Sequence, residues 1–340
     1  MKILVTGGLG FIGSHTVVSL IEKNYEVVII DNLSNSDISV LDGIEKITGI
    51  RPTFEQIDLR EKNAVIDFFK RNSDIDGIIH FAASKAVGES VEKPLLYYEN
   101  NINTLVYVLQ QMIDKKISNF IFSSSCTVYG EPDSLPITEQ APVKPALSPY
   151  GNTKQIGEEI IRDTAKAYPQ FQAVALRYFN PIGAHPSGLI GELPIGVPQN
   201  LVPFVTQTAA GIRKELSVFG NDYPTPDGTA IRDYIHVVDL AQSHVVALER
   251  LINGKNKSNF EIFNVGTGRG SSVMEIIKAF EKVNNLKLNY KITGRRPGDV
   301  VAVWADTSLA EKELGWKSRL TMEDALRDAW NWQQKITDKN

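Results

Sequence analysis

Near the N-terminus, the stretch Lys2-Ile3-Leu4-Val5-Thr6-Gly7-Gly8-Leu9-Gly10-Phe11-Ile12-Gly13 changes from an apolar strand pattern to a glycine turn and then to a helix. That succession points to an α/β architecture in which a parallel strand leads a phosphate group to a helix N-terminus. Gly7 takes the tight turn, Gly10 lacks the Cβ that would hold the backbone away from a pyrophosphate, and Gly13 permits close packing of helix on strand. Unpaired N–H groups at the helix start face the phosphates. The next apolar run, Glu26-Val27-Val28-Ile29-Ile30, ends at Asp31, 18 residues after Gly13. A carboxylate there accepts hydrogen bonds from an adenosine ribose and repels a 2′-phosphate, which favours NAD over NADP. Three glycines alone would equally describe an ordinary loop. The flanking strands, and an amphipathic helix expected over Ser14 to Lys23, make the dinucleotide site the stronger reading.

Strands and helices alternate after Asp31. Asn32-Leu33-Ser34-Asn35-Ser36 is a polar loop able to cover the adenosine half of the cofactor, with Asn32, Asn35 and Ser36 as candidate contacts. A short helix is expected over Asp37 to Ile47, a third strand over Thr53 to Ile57, and a helix opening at Leu59-Arg60-Glu61 and running to about Lys70. Asp58 either meets the adenine amino group or caps that helix. The fourth strand, Gly77 to Phe81, runs into Ala82-Ala83-Ser84-Lys85, whose small residues let a cofactor lie close to the strand end. Lys85 is within reach of a phosphate or a substrate carbonyl there, while His80 reads as a strand-end core histidine rather than a catalyst. A long helix from about Leu95 to Lys115 would bury Tyr98, Ile102, Leu105, Val106 and Leu109 and turn Asn100 to the cofactor. Phe11, Ile12, Leu59, Phe81, Ala82 and Tyr178 complete the candidate cofactor contacts.

Ile117 to Phe122 forms a fifth strand that ends in Ser123-Ser124-Ser125-Cys126-Thr127. The loop from Tyr129 to Leu147, rich in proline and acid, suits a surface excursion shaping a substrate mouth. Ser148-Pro149 then supplies an N-cap with proline at the first helical position, and the helix runs from Tyr150 to Ala167, followed by a sixth strand over Phe171 to Tyr178. Beyond Gly183 the pattern loosens. A helix is expected from Asn200 to near Gly211, a short strand over Leu216 to Phe219, a polar loop over Asn221 to Ala230 and a strand-like run over Arg232 to Val237. Helices are then expected over Val238 to Leu251, Ser272 to Val283 and Thr321 to Lys335, with a final strand over Glu261 to Val265. The fold class is α/β: a Rossmann-type doubly wound parallel sheet over residues 1–180 and a smaller α/β substrate-binding domain over 181–340, with the segment at about 230–250 returning to the first.

A chain of 340 residues, 42% of them hydrophobic, can bury a core of this size. Its net charge of -4 gives no reason to expect nucleic acid or an anionic membrane as partner. No run approaches the ~18 apolar residues of a membrane span, and the apolar segment after Lys2 is too short for a signal peptide. The single cysteine, Cys126, cannot form an internal disulfide, which fits the reducing cytoplasm. No metal is expected.

Tyr150 and Lys154 are four apart on one helix, so they face the same side one turn from each other. Tyrosine, with an ordinary pKa of ~10, is a poor base until an ammonium and an oxidised nicotinamide favour its phenolate. Lys154 supplies the first of these charges. Ser125 can hydrogen-bond a hydroxyl being oxidised, and Tyr150 can take its proton. An isolated Tyr-x-x-x-Lys spacing would more often be a half-buried aromatic beside a solvated lysine. After a dinucleotide fingerprint and one strand-helix unit beyond Ser125, the catalytic reading wins. In the second half, Arg232 and Arg296 are guanidinium donors suited to phosphates, Asn180 follows a strand end, Phe219 can lie beside a base and Asp299 can accept ribose hydroxyls. Each taken singly is as readily an ordinary surface or packing residue. Their sum points to a nucleotide-linked substrate.

TGGLGFIG at 6 to 13, DNL at 31 to 33, HFAA with Lys85, AVGES at 86 to 90, SSSCTVYG at 123 to 130 and SPYGNTK at 148 to 154 resemble the extended short-chain dehydrogenase/reductase family, in particular its UDP-hexose 4-epimerases. RYFNPIGAHPSG at 177 to 188, RDYIHVVDLA at 232 to 241, RRPGD at 295 to 299 and WADTSLAEKELGW at 304 to 316 extend the likeness over essentially the whole chain. The resemblance implies that Ser125, Tyr150 and Lys154 act on the sugar C4 hydroxyl beside tightly held NAD, that the 4-keto sugar turns over, and that UDP-glucose and UDP-galactose interconvert. It also implies UDP contacts from Asn180, Asn200, Leu201, Phe219, Arg232, Arg296 and Asp299, with Lys85, Ser125, Thr127 and Tyr150 near the sugar. Members of the family are mostly homodimers that pack two helices from each subunit together.

Dehydratases of the family follow the serine or threonine with Asp-Glu, whereas this chain has Cys126-Thr127, which argues against elimination. Cys126 is expected as a small apolar wall. Before the WAD motif, where similar bacterial epimerases carry a bulky tyrosine, this chain has Val303. Relatives with a small residue there also accept UDP-GlcNAc and UDP-GalNAc, so two substrate ranges stay open, since neighbouring side chains can fill the space. A nucleotide-sensing protein without turnover would not need Ser125, Tyr150 and Lys154 together.

Overall fold

A computed structural model of the chain describes residues 1–296 and 299–338. Pro297 and Gly298 of the RRPGD stretch, and the last two residues, lie outside the described residues. Six strands, β1 (Lys2–Thr6), β2 (Glu26–Asp31), β3 (Thr53–Gln56), β4 (Gly77–His80), β5 (Asn119–Ser123) and β6 (Gln172–Tyr178), are joined by the strand Phe260–Val265 in one parallel sheet. From one edge the order is β3, β2, β1, β4, β5, β6 and Phe260–Val265. The direction of winding reverses between β1 and β4, and that crevice at the carboxyl ends of the strands is where such sheets bind ligands.

A parallel sheet covered on both faces needs apolar residues at successive positions, and β1 and β2 read that way. Alternation then assigns each residue to a layer. Ile3, Val5, Ile29, Ile79 and Ile121 face one core, whereas Leu4, Val28, Ile30, Ile78 and Phe120 face the other. On the first face lies the helix Phe11–Glu22, packed against the helix Val237–Ile252. The second face carries the helices Lys62–Arg71, Pro94–Lys115 and Pro149–Ala167. The last of these begins where Ser148 Oγ accepts from Gly151 N at 3.1 Å, with Pro149 at the first helical position.

Several elements differ from expectation. The first helix starts at Phe11 rather than Ser14 and is not amphipathic: every residue from Gly13 to Ile21 is buried, because sheet and neighbouring helices cover it on all sides. The third helix opens at Lys62, not Leu59, behind a Glu61 that makes no side-chain cap. In Pro94–Lys115 the buried face carries Tyr97, Asn101, Leu105, Val108 and Met112, so Tyr98, Ile102 and Val106 lie half-buried at its margin. The loop after Tyr129 is not wholly a surface excursion, since Ile137 is buried and donates its N–H to Trp304 O at 2.9 Å.

The remaining elements make a smaller layer. Ile182, Val202, Val205, Leu216, Val218, Ile276, Ile277, Phe280 and Leu326 form its core. Short strands Asn180–Ile182 with Tyr234–His236, Leu216–Phe219 with Tyr290–Thr293, and Ile231–Arg232 with both Ser271–Ser272 and Ala302–Val303 tie it together. Those at 290–293 and 302–303 show that the strand ending at Val265 is not the last. Capping boxes start two helices here, Ser272 with Glu275 and Thr321 with Asp324.

Candidate active site

The glycine turn sits at the winding reversal. Gly7 adopts φ +67, and a Cβ on it would lie 2.9 Å from Ala82 N. A Cβ on Gly13 would come within 2.2 Å of Gly7 O, whereas one on Gly10 meets only Gly7 O, at 3.2 Å. Its other side is open. Gly10 caps the helix Phe11–Glu22 without a side-chain bond, and no acidic residue stands in the first turn, so the positive helix end is left for an anion. At the end of β2, Asp31 is buried and accepts from Leu9 N at 3.1 Å, Leu33 N at 3.0 Å and Ser36 Oγ at 2.8 Å. The carboxylate is thus pinned beside the glycine loop. These residues fit a dinucleotide: the cradle is one that a Cβ would fill.

Other predicted cofactor residues rim the same crevice. Asn32 Nδ2 reaches Asp58 Oδ2 at 3.4 Å, while Asp58 pairs with Arg60 at 2.6 Å and does not cap the following helix. Asn35 is exposed at the rim and Leu59 is buried below it. Ala82 N donates to Thr6 Oγ1 at 3.3 Å, and Asn100 Nδ2 to Ser84 Oγ at 3.0 Å, beyond the end of β4. Phe81 packs on His244 with ring centroids 4.7 Å apart. His80 is buried and bonded to Thr6 Oγ1 at 2.8 Å, as a core histidine.

Ser125, Tyr150 and Lys154 meet at the end of β5, all buried. Lys154 Nζ donates to Ser123 O at 2.7 Å and lies 5.8 Å from the Tyr150 ring centroid. Ser123 Oγ in turn bonds the Tyr178 hydroxyl at 2.9 Å. Burial lowers Lys154 to about 8, with Glu158 opposing the fall. Burial also pushes the Tyr150 phenol well above its usual value, and the Ser125 hydroxyl pulls the other way. In the protein alone, Tyr150 is therefore a neutral phenol, and Lys154 by itself does not make the phenolate.

Of the residues expected to hold a nucleotide, Arg232, Arg296, Asp299 and Phe219 stand together, and Asn200 belongs to a separate group around Glu192. Arg296 donates to Asp299 at 2.8 and 3.2 Å, Arg232 lies 3.6 Å from the same carboxylate, and the Arg296 guanidinium stands 5.6 Å from the half-exposed Phe219 ring. Asn180 pairs with Tyr234, two residues after Arg232. Asn200, which precedes the helix Leu201–Ala209, donates to Glu192 Oε1 at 2.7 Å, and Lys85 pairs with the same carboxylate at 3.2 Å. Glu192 therefore bridges two candidate substrate residues, a role the sequence pattern did not signal. Val303 pairs with Arg232 in register and is buried in a cluster with Val128, Tyr129, Phe179 and Ala305, onto which Cys126 packs. Burial pushes the Cys126 thiol up to about 12, so it is an inert wall. Among the described residues, the buried Thr127 Oγ1 has no hydrogen-bond partner.

Behind the corner lie Ser124, Glu158 and Arg177, which sequence reasoning passed over. Arg177 Nε and Nη2 reach Glu158 at 2.9 and 2.5 Å. A carboxylate one turn after Lys154 on an otherwise buried helix face was the signal available.

Residues 4–329 match the family model described as GDP-mannose 4,6 dehydratase. The chain is 50% identical over 334 residues to the UDP-glucose 4-epimerase of Haemophilus influenzae, covering 98% of each chain. A crystal structure of UDP-glucose-4-epimerase from Stenotrophomonas maltophila, with bound NAD and formylated UDP-arabinopyranose, matches with a TM-score of 0.96 at 45% identity over 100% of both chains. Another, the Bifidobacterium longum enzyme in complex with NAD+ and UDP, matches with a TM-score of 0.95 at 48% identity, again over 100% of both.

Proposed function

The chain belongs to the UDP-glucose 4-epimerase family of extended short-chain dehydrogenase/reductases, and on that premise we propose how its residues divide the work. The reaction is the NAD-dependent interconversion of UDP-glucose and UDP-galactose by transient oxidation at C4. NAD, when bound, supplies reversible hydride acceptance at that carbon. Gly7, Gly10, Phe11, Ile12, Gly13 and Asp31 hold it at the winding reversal. Asn32, Asn35, Ser36, Asp58 and Leu59 border its adenosine half, and Phe81, Ala82, Lys85, Asn100 and Tyr178 border the rest.

Tyr150 takes the proton of the C4 hydroxyl and returns it after the 4-keto sugar has turned over. Ser125 orients that hydroxyl, and Lys154 holds positive charge beside the phenol so that proton loss costs less. The buried corner in which Lys154 is fixed to Ser123 O, with Tyr150 and Ser125 beside it, is the observation that carries this assignment. Arg232 and Arg296 take the diphosphate, Phe219 and Asp299 the nucleoside, and Asn180, Asn200, Leu201 and Thr127 shape the path between. That division corresponds to a cofactor domain over 1–180 and a mainly substrate-binding domain over 181–340.

The substrate range extends to UDP-GlcNAc and UDP-GalNAc, because the Val303 side chain is much shorter than the tyrosine of relatives restricted to the plain hexoses. In the working form two copies pack through the helices Pro94–Lys115 and Pro149–Ala167. The exposed Leu95 and the half-buried Tyr98, Ile102 and Val106 are the apolar face such packing would cover. Among the described residues no helix is long and apolar enough to cross a membrane, and the cytoplasm is the proposed location.

The test is turnover of UDP-galactose and UDP-GalNAc by purified protein with no NAD added, alongside its sedimentation. Turnover of both by a dimer fits the full proposal. Turnover of UDP-galactose alone removes the wider range, a monomer removes the packing, and no turnover by protein with confirmed bound NAD sinks the assignment.

A further inference from the structure

A second polar layer lies behind the Ser125, Tyr150 and Lys154 corner, and proton transfer has no direct use for it. Glu158, one turn beyond Lys154, is only 3% exposed. Its Oε1 accepts from Ser124 Oγ at 2.6 Å and from Arg177 Nε at 2.9 Å, and its Oε2 accepts from Arg177 Nη2 at 2.5 Å. Arg177 lies 4.7 Å from the Tyr129 ring centroid, and the Tyr129 hydroxyl donates to Asn264 Oδ1 at 2.7 Å.

Three consecutive serines therefore have three different partners. Ser123 offers its carbonyl to Lys154, Ser124 gives its hydroxyl to Glu158, and Ser125 stands beside Tyr150. Together these contacts fasten the end of β5 to one face of the helix Pro149–Ala167. Buried ion pairs seldom add stability over apolar packing, so stability alone gives little reason for one at this position.

We propose that Glu158 is a positioning residue for proton transfer: fixed by Arg177 one helical turn beyond Lys154, it holds Ser125 against Tyr150 through Ser124. The inference rests on the proposed catalytic roles of Ser125, Tyr150 and Lys154.

Other titratable groups facing this corner are His80 from β4, Tyr97 from the helix Pro94–Lys115, Tyr178 and Arg177 from β6, Tyr150 on the same helix, and Cys126 and Tyr129 after β5. Burial holds His80 down at about 3 and pushes Cys126, Tyr129 and Tyr178 up to about 12, so these four are neutral at pH 7. Of this set, Glu158 and Arg177 carry the charge besides Lys154. Removing the carboxylate takes away what opposes the burial of Lys154, and the lysine then loses its proton at lower pH.

The experiment uses full-length protein with its bound NAD and UDP-galactose as substrate, and three variants: Ser124→Ala, Glu158→Gln and Glu158→Gln with Arg177→Met. Ser124→Ala is expected to lower kcat about tenfold with KM and NAD content nearly unchanged, because only the tether is cut. In the double variant, which removes the Arg177 charge together with that of its partner, Lys154 loses the carboxylate that opposes its burial, and the alkaline fall of kcat should move down by about one pH unit. Glu158→Gln alone leaves Arg177 unpaired in the core, so the double variant carries the result where the single one does not fold. Wild-type kcat and pH profile in both Ser124→Ala and the double variant would overturn the inference. So would a loss equal at every pH that tracks a fall in thermal midpoint. Tyr150→Phe and Lys154→Met controls separate the two readings: if these keep wild-type turnover, the catalytic assignment itself fails.

Discussion

Lys154 Nζ is tied to the carbonyl oxygen of Ser123 at 2.7 Å, which fixes a buried ammonium between the end of β5 and the ring of Tyr150. A lysine held this way has one donor spent on the scaffold and two left for its surroundings. Lys154→Met should keep the packing of the stem while removing the charge, and kcat should fall by about 10²- to 10⁴-fold. Bound NAD measured in the purified variant distinguishes lost chemistry from lost cofactor. Retention of more than about a tenth of wild-type kcat in a loaded variant would show that Tyr150 ionises without it.

The glycine loop makes a prediction about stability and cofactor together. A methyl on Gly13 would come within 2.2 Å of Gly7 O, a backbone atom that cannot step aside without moving β1 away from the helix. Gly13→Ala should lower stability by about 1–3 kcal/mol and empty the NAD site. Gly88, in the helix Val87–Glu92, has nothing within 4 Å of where its Cβ would be. Gly88→Ala should therefore leave NAD in place and raise stability by about 0.5–1 kcal/mol. Thermal midpoints and cofactor content of both variants check this, and equal behaviour would show that contact distance does not govern the loop.

Acid sensitivity follows from buried histidines that have no proposed part in proton transfer. Burial lowers His15 and His80 to about 3 and His244 to about 4. Unfolded, each takes a proton near pH 6.5, so below that pH the unfolded chain binds more protons than the folded one and stability falls with pH. The contribution is whole above about 6.5 and is lost progressively down to 3–4, each histidine adding up to about 1.4 kcal/mol per pH unit. Urea midpoints at pH 7, 6 and 5 should drop steeply. In His244→Phe the drop should be shallower; an unchanged slope would mean that other groups dominate.

How much was legible beforehand depends on the range of the interactions involved. The glycine turn, Asp31 and the Tyr150–Lys154 pair are local in sequence, and their period and spacing were enough to place them in the crevice and at the end of β5. Ser148 and Pro149 announced the helix Pro149–Ala167 for the same reason. What pattern could not supply was pairing between distant segments. Glu192 meets Lys85 across 107 residues, and Arg232 lies beside Val303 through a two-residue strand too short to carry a periodic signal. The helix Pro94–Lys115 was read with its apolar stripe inward, but its buried face also contains Asn101, which donates to Thr153 Oγ1 at 3.0 Å. A polar contact between helices shifted the face by one position, and hydrophobicity alone is blind to it. Tyr150 was expected to reach its phenolate with the help of both Lys154 and the oxidised nicotinamide; in the protein alone, burial pushes its phenol up.

The proposed substrate range turns on one side chain whose surroundings are apolar. Val303 is 7% exposed, pairs in register with Arg232 and shares a cluster with Val128, Phe179 and Ala305, with Cys126 packed against it. Cys126 follows Ser125 directly, so the cluster lies beside one of the three residues proposed to act on the sugar. Tyrosine at 303 would fill the space an N-acetyl group needs without touching the proton-transfer residues. Val303→Tyr should cut kcat/KM for UDP-GalNAc by about 10- to 200-fold, the range a pocket achieves when a substituent no longer fits, and change that for UDP-galactose by less than about threefold. Overpacking is the competing effect: the larger ring could cost about 1–3 kcal/mol of stability, which a thermal midpoint reads separately. Parallel losses on both substrates with a lowered midpoint would mean that the ring distorts the cluster rather than gating the sugar. A selective loss would place the gate at Val303 and leave Ser125, Tyr150 and Lys154 indifferent to the substituent on the hexose.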